Sequence, residues 1–100
     1  MIIKVGSVNY TVETLDTVEY EGDKNYFGLC RYKENKLQIL NGLEESRKES
    51  VLIHELTHAI LHEAGFDDHE EDTANRIAKI LHQVIKDNDL YKILEDIKNK

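Results

Sequence analysis

The segment His54-Glu55-Leu56-Thr57-His58 is where residue types and spacing in this sequence together specify chemistry. Histidines four residues apart on a helix share one face, with Cβ atoms about 5–6 Å apart, so both rings can reach a single zinc ion at ~2.0–2.1 Å. Glu55 is rotated about 100° from His54; it does not readily join as a third ligand, but its carboxylate can reach a water beside the metal and act as general base. With five His and twelve Glu in 100 residues, roughly 0.03 accidental matches to the pattern are expected. Context strengthens it: Val51-Leu52-Ile53 and Ala59-Ile60-Leu61 flank the motif, where an uncompensated polar group would be costly.

A catalytic zinc takes three protein ligands and leaves one position for water. The metzincin form supplies the third from a histidine six residues after the second, but Leu61 and Ala64 stand at that motif's glycine and histidine positions, which excludes it. If the chain turns back at Gly65 into a second helix, His58 lies seven residues before the turn and Glu71 six after it. At ~1.5 Å rise per residue the two face each other at similar height, about 9–10 Å from the turn. Glu71 is therefore the expected third ligand, with His69, Glu70 and Asp72 as neighbouring alternatives. By the same mirror Asn75 falls opposite His54, where it could orient a ligand, and His62 and His69 are expected to meet nearer the turn. His82 lies three turns beyond Glu71, too far for the same ion, and is read as structural.

The elements that must position these residues are legible in outline. Up to about residue 40 apolar and polar types alternate, as in Ile3-Lys4-Val5, Val8 to Glu13 and Val18-Glu19-Tyr20, which predicts short strands. Phe27 to Tyr32 and Lys36 to Leu40 bracket Lys33-Glu34-Asn35, a connector suited to a hairpin, so the small N-terminal sheet is expected to be antiparallel. From about Glu44 apolar residues recur at helical intervals through Val51, Leu52, Leu56, Ala59, Ile60 and Ala64. Gly65 is the expected stop, Asp67 or Asp68 the cap of a second long helix carrying Ala74, Ile77, Ala78, Leu81, Val84 and Ile85, and Asn88-Asp89 the start of a short third. Strands first and helices second argue an α+β layer domain over residues 1–100, the two long helices forming an antiparallel hairpin.

Bulk properties narrow the function classes. Thirteen Lys and Arg against 20 Asp and Glu give a net charge of −7, poorly suited to a phosphate backbone. No run approaches the ~18 apolar residues of a membrane span, and Met1 to Gly6 lacks a signal peptide's apolar core, so no membrane role and a cytoplasmic location are expected. Cys30 is the one cysteine, which suits a reducing compartment, and reads as a small strand residue near the core.

The segment Val51 to Ala59, followed by Glu71-Asp72-Thr73-Ala74-Asn75-Arg76-Ile77-Ala78, resembles the ImmA/IrrE metallopeptidase family, in which an HExxH helix precedes a Glu-x-x-x-Asn helix. It resembles more closely a group of small zincins encoded by bacteriophages and prophages, over roughly residues 27 to 88. The resemblance implies a zincin-like core with zinc held by His54, His58 and Glu71 and with Glu55 as catalytic base. It also implies a protein or peptide substrate, the bacterial host cytoplasm as location, and a host or phage protein as a possible partner. A second likeness, to the three-histidine motif of the YbeY endoribonucleases, runs from His58 through His62 to His69, but its register is off by one and the third histidine's place falls on Asp68.

The expectation is a zinc-dependent hydrolase of peptide bonds. Its rivals are a non-enzymatic, zinc-stabilised module that binds a host protein, and an RNA hydrolase of the YbeY kind. For the peptidase, Lys36 to Leu40 is the candidate edge strand on which an extended substrate would pair.

Overall fold

A computed structural model describes residues 1–100 as six strands followed by three helices. The elements are β1 (Ile2–Val5), β2 (Val8–Leu15), β3 (Val18–Tyr20), β4 (Asp23–Tyr26), β5 (Gly28–Arg31), β6 (Lys36–Leu40), α1 (Glu45–Glu63), α2 (Glu71–Asp87) and α3 (Leu90–Lys98). The class is α+β, with two long helices and a short C-terminal one, as the order of patterns predicts.

The main sheet runs β1-β2-β6-β5, and β3 and β4 form a separate two-stranded ribbon. β1 and β2 pair antiparallel, as do β5 and β6 across the expected Lys33-Glu34-Asn35 connector. The joint between β2 and β6 is parallel, in register from Thr11 opposite Lys36 to Leu15 opposite Leu40. The sheet is therefore mixed, where an antiparallel one was expected. Alternation reports which residues share a face and short connectors report local hairpins; neither reports how a strand lies against one more than twenty residues earlier. Here the chain spends β3, β4 and β5 on the crossover that returns β6 alongside β2. β6, expected as the edge strand, is also interior; the edges are β1 and β5, and β5 is the one beside α1 at Glu55.

One face of the sheet packs on α1. Val5, Tyr10, Val12 and Leu37 form the core with Ala59, against which Ile3, Val8, Cys30, Leu52 and Leu56 also pack. Burying side chains the size of Tyr10 or Leu37 contributes about 1.5–3 kcal/mol each, and both are fully buried. The Tyr10 hydroxyl donates to Glu63 Oε2 at 2.7 Å, tying the sheet to the last turn of α1. The opposite face carries a polar ladder in which Arg31 Nε donates to Gln38 Oε1 at 2.8 Å and Gln38 Nε2 donates to Glu13 Oε1 at 2.7 Å.

Gly28 sets how near α1 comes to the edge strand. A Cβ at this position would stand 2.4 Å from Val51 Cγ1 and 3.1 Å from Glu55 Cγ, so only glycine admits the helix at this depth.

The end of α1 is a Schellman turn. Phe66 N–H donates to the Leu61 carbonyl at 2.8 Å, Gly65 N–H to the His62 carbonyl at 3.1 Å, and Gly65 takes the left-handed φ of 95° such a turn requires. α2 starts later than expected: Glu70 occupies its N-cap with extended backbone and no side-chain cap, so neither Asp67 nor Asp68 caps it. Asp67 instead pairs with His62 Nδ1 at 3.0 Å, an alternative partner that local spacing does not reveal. α2 then packs back along α1 through buried Ala74 and Ala78, whose small side chains permit close approach. At the far end Glu49 of α1 meets both His82 and Lys86 at 3.1 Å, giving His82 the structural place expected of it. Asp89 caps α3 by accepting from Lys92 N–H at 3.0 Å, and Leu90, Ile93, Leu94 and Ile97 of α3 are exposed. No helix is long and apolar enough to cross a membrane.

Gly28→Ala should destabilise the fold by about 1–3 kcal/mol, the range for overpacking. Because the clash is with a Val51 methyl group, denaturant titrations of Gly28→Ala, Val51→Ala and the double variant should show the double losing less than the sum of the singles. Simple additivity would mean that Gly28 does not govern this approach.

Candidate metal centre

The two histidines of α1 and the first residue of α2 converge. His54 Nε2 and His58 Nε2 are 3.2 Å apart, His58 Nε2 is 3.1 Å from Glu71 Oε2, and His54 Nε2 is 2.6 Å from Glu71 Oε1. One ligand atom from each lies within 4.8 Å of the others. Bonds of ~2.0–2.1 Å to a tetrahedral zinc imply ligand separations of about 3.3 Å; the 3.2 Å between the two imidazole nitrogens and the 3.1 Å from His58 to Glu71 Oε2 match this, while His54 lies nearer the other carboxylate oxygen. Two imidazoles with one carboxylate are also a donor set that zinc accepts in catalytic sites. The residues fit the ion.

Local sequence explains the placement. The i, i+4 spacing puts His54 and His58 on the face of α1 that α2 covers. Glu71 occupies the first turn of α2, where the helix dipole favours a carboxylate. Its side chain is 66% exposed, so this corner of the site opens to solvent.

Glu55 sits beside the cluster and outside it. Its Oε2 is 4.0 Å from His54 Nε2, beyond direct hydrogen bonding. Burial raises its carboxyl to about 8, the negative charge of Glu71 adds to the rise, and the Cys30 backbone amide opposes it. A cation at the neighbouring ligands would pull the value back down. Burial also lowers the His58 pKa, more than offsetting the pull of Glu71, and so favours the neutral ring that can ligate.

These groups open into a cavity of about 600 Å³ walled on the strand side by Gly28, Cys30 and Tyr32. Sequence reasoning assigned Gly28 and Tyr32 no role. Tyr32 stacks on His62 with ring centroids 4.3 Å apart, and burial pushes its phenol above the ordinary range, leaving a neutral hydroxyl on the cavity wall. The hairpin signal put Tyr32 at a strand end, but nothing local said which way the strand faced. β5 also offers backbone groups. Leu40 N–H donates to the Phe27 carbonyl at 2.8 Å, so by antiparallel alternation Leu29 and Arg31 bond to β6 while Gly28 directs its amide and carbonyl away from β6, as does Cys30, whose amide serves Glu55.

The other expected residues distribute unevenly. Asn75 borders a surface cavity with His54 and Glu71 but hydrogen-bonds to neither. Glu70 occupies the N-cap position of α2 without a side-chain cap, and Asp72 pairs with Arg76 at 3.8 Å. His62 and His69 do not meet: His62 turns to Asp67, while His69 Nε2 lies 2.7 Å from His58 Nδ1. The mirror about Gly65 treats the turn as tight, whereas five residues, 66–70, with a turn at Asp67-Asp68, connect the helices and carry His69 up to His58.

Cys30 packs beside the core, as expected, and its thiol, ordinarily titrating near 9.0, is raised to about 12 by burial, with smaller contributions from Glu55 and Glu63. A folded value above the unfolded one means stability that is complete below pH 9 and lost as pH rises towards 12. Urea midpoints should therefore fall across that window, and less steeply in Cys30→Ala. At about pH 8 the native thiol should resist iodoacetamide that alkylates the unfolded chain readily; equal rates would contradict the burial.

Comparison with known proteins finds no matching family model, no matching curated protein and no matching solved structure, so the functional reading rests on the geometry of these residues.

Proposed function

We propose that this chain is a zinc-dependent hydrolase of peptide bonds, of the type its two helical motifs resemble. The supporting observation is the convergence of His54, His58 and Glu71 with the Glu55 carboxylate 4.0 Å from a ligand nitrogen, beside an open cavity. His54, His58 and Glu71 would hold the ion, which when bound supplies Lewis-acid polarisation of a carbonyl and makes a neighbouring water acidic. Glu55 takes the proton from that water as it attacks, and returns it to the departing amine. The low polarity around Glu55, which is 7% exposed, strengthens each of these charge interactions. The substrate lies extended along the open edge of β5, pairing with the backbone of Gly28 in the mode of an added strand. This places the candidate edge on β5, one strand from where the sequence put it.

Two features favour catalysis over a purely structural metal. A structural zinc has no use for a buried glutamate beside its ligands, and it closes the fourth position with a protein group; here the cluster comprises three residues. An RNA hydrolase would need His62 and His69 at the ion; His62 instead pairs with Asp67, and His69 reaches the far nitrogen of His58 and lies outside the cluster. A net charge of −7 also disfavours that substrate. The reading carries with it a working place in the cytoplasm, of the bacterial host if the chain is phage-encoded. The alternative of a zinc-stabilised binding module for a host protein draws on one observation, the uncovered apolar residues Leu90, Ile93, Leu94 and Ile97 of α3.

Elemental analysis and a fluorogenic peptide library test the reading. His54→Ala should lose zinc, whereas Glu55→Gln should keep zinc and lose hydrolysis by about 10²-fold or more. Undiminished hydrolysis by Glu55→Gln would remove the mechanism. Zinc binding with no hydrolysis in the unaltered chain would favour the binding module.

A further inference from the structure

We infer that His69, a residue of the loop between α1 and α2, is a positioning residue that fixes the tautomer of His58 and so presents the Nε2 lone pair of that ring to the metal. The inference rests on the metal-centre reading above and adds the group that prepares one of its ligands.

A backbone carbonyl can only accept a hydrogen bond. His69 Nδ1 lies 2.5 Å from the Phe66 carbonyl oxygen, so that ring nitrogen carries the proton. In a neutral imidazole the other nitrogen is then an acceptor, so His69 Nε2 offers a lone pair. It lies 2.7 Å from His58 Nδ1. While the His69 ring is neutral, the proton in that contact belongs to His58 Nδ1, which leaves His58 Nε2 unprotonated. That is the nitrogen 3.2 Å from His54 Nε2 and 3.1 Å from Glu71 Oε2. Its lone pair then faces a carboxylate oxygen, and a cation between the two atoms would attract both.

The Phe66 carbonyl that starts this sequence is itself fixed. Phe66 N–H closes the Schellman turn on Leu61 at 2.8 Å, and Gly65 at φ 95° makes that turn possible. The device that ends α1 is therefore connected through Phe66 and His69 to a ligand two turns earlier on the same helix. A histidine ligand whose second nitrogen donates to a fixed acceptor is held in both ring orientation and tautomer. For His58 the acceptor comes from a loop residue that sequence spacing alone offered as a competing ligand. His69 is half-buried and makes no bond to Glu71 or His54, so its removal need not disturb the other ligands.

The test combines spectroscopy with zinc affinity. Long-range ¹⁵N–¹H spectra of the metal-free chain at about pH 8, where free imidazoles are neutral, should show His58 with a protonated Nδ1 and a bare Nε2. In His69→Ala the free-histidine preference for the Nε2–H form should reappear at His58. Competition with a chelating dye should find zinc bound about 10–100-fold more weakly by His69→Ala. His69→Gln should recover most of this loss, because its amide oxygen can accept the same proton, whereas His69→Lys, with no acceptor, should not. An Nε2–H tautomer of His58 in the unaltered chain overturns the inference, as does unchanged affinity in His69→Ala when the unaltered chain binds zinc. If the unaltered chain binds no zinc, the metal-centre reading fails, and the tautomer of His58 still decides the role of His69.

Discussion

Two imidazole nitrogens and a carboxylate held within 4.8 Å of one another form an arrangement that an isolated helix cannot make. The i, i+4 spacing supplies two donors; the third must be carried back from a second helix. The helical hairpin is thus the constraint on which the site depends. Gly65 stops α1 in the left-handed conformation, residues 66–70 reverse the chain, and Ala74 and Ala78 let α2 settle close enough for Glu71 to reach both rings. Glu49, meeting His82 and Lys86, holds the far ends of the helices together, although exposed pairs of this kind contribute modestly.

The sheet serves this hairpin as a floor. Its apolar face holds α1 through Tyr10, Leu37 and Ala59, and its edge comes nearest the helix at Gly28, beside Glu55. The same close approach buries Glu55 and leaves it a carboxylate near the ligands without becoming one. The cavity on that side lies between the helix face and the edge strand β5, so the His54-His58-Glu71 cluster, Glu55 and the backbone of that edge share one wall. These arrangements follow from one packing contact.

How much of this was legible in the sequence depends on the range of each interaction. His54, Glu55 and His58 declare themselves by spacing within one helix. Glu71 was reachable because a helical hairpin is nearly a mirror about its turn, and Gly65 marks that turn. The same mirror failed for His62 and His69, since it took no account of the five residues between Gly65 and α2. The β5–β6 hairpin was legible from its connector, whereas the parallel joint between β2 and β6, and with it the identity of the edge strand, depends on a crossover that no local pattern encodes. Tyr32 and Gly28 went unassigned for the same reason: their importance lies in what packs opposite them.

The identity of the side chains that bind the ion is the central point. Crystals grown with zinc and measured on either side of the zinc absorption edge should give a single anomalous peak, bonded at ~2.0–2.1 Å to His54 Nε2, His58 Nε2 and a Glu71 carboxylate oxygen. The peak should be absent from Glu71→Ala crystals prepared in the same way. A peak bound by His62 or by four protein groups, or no peak among these three residues, would contradict the account.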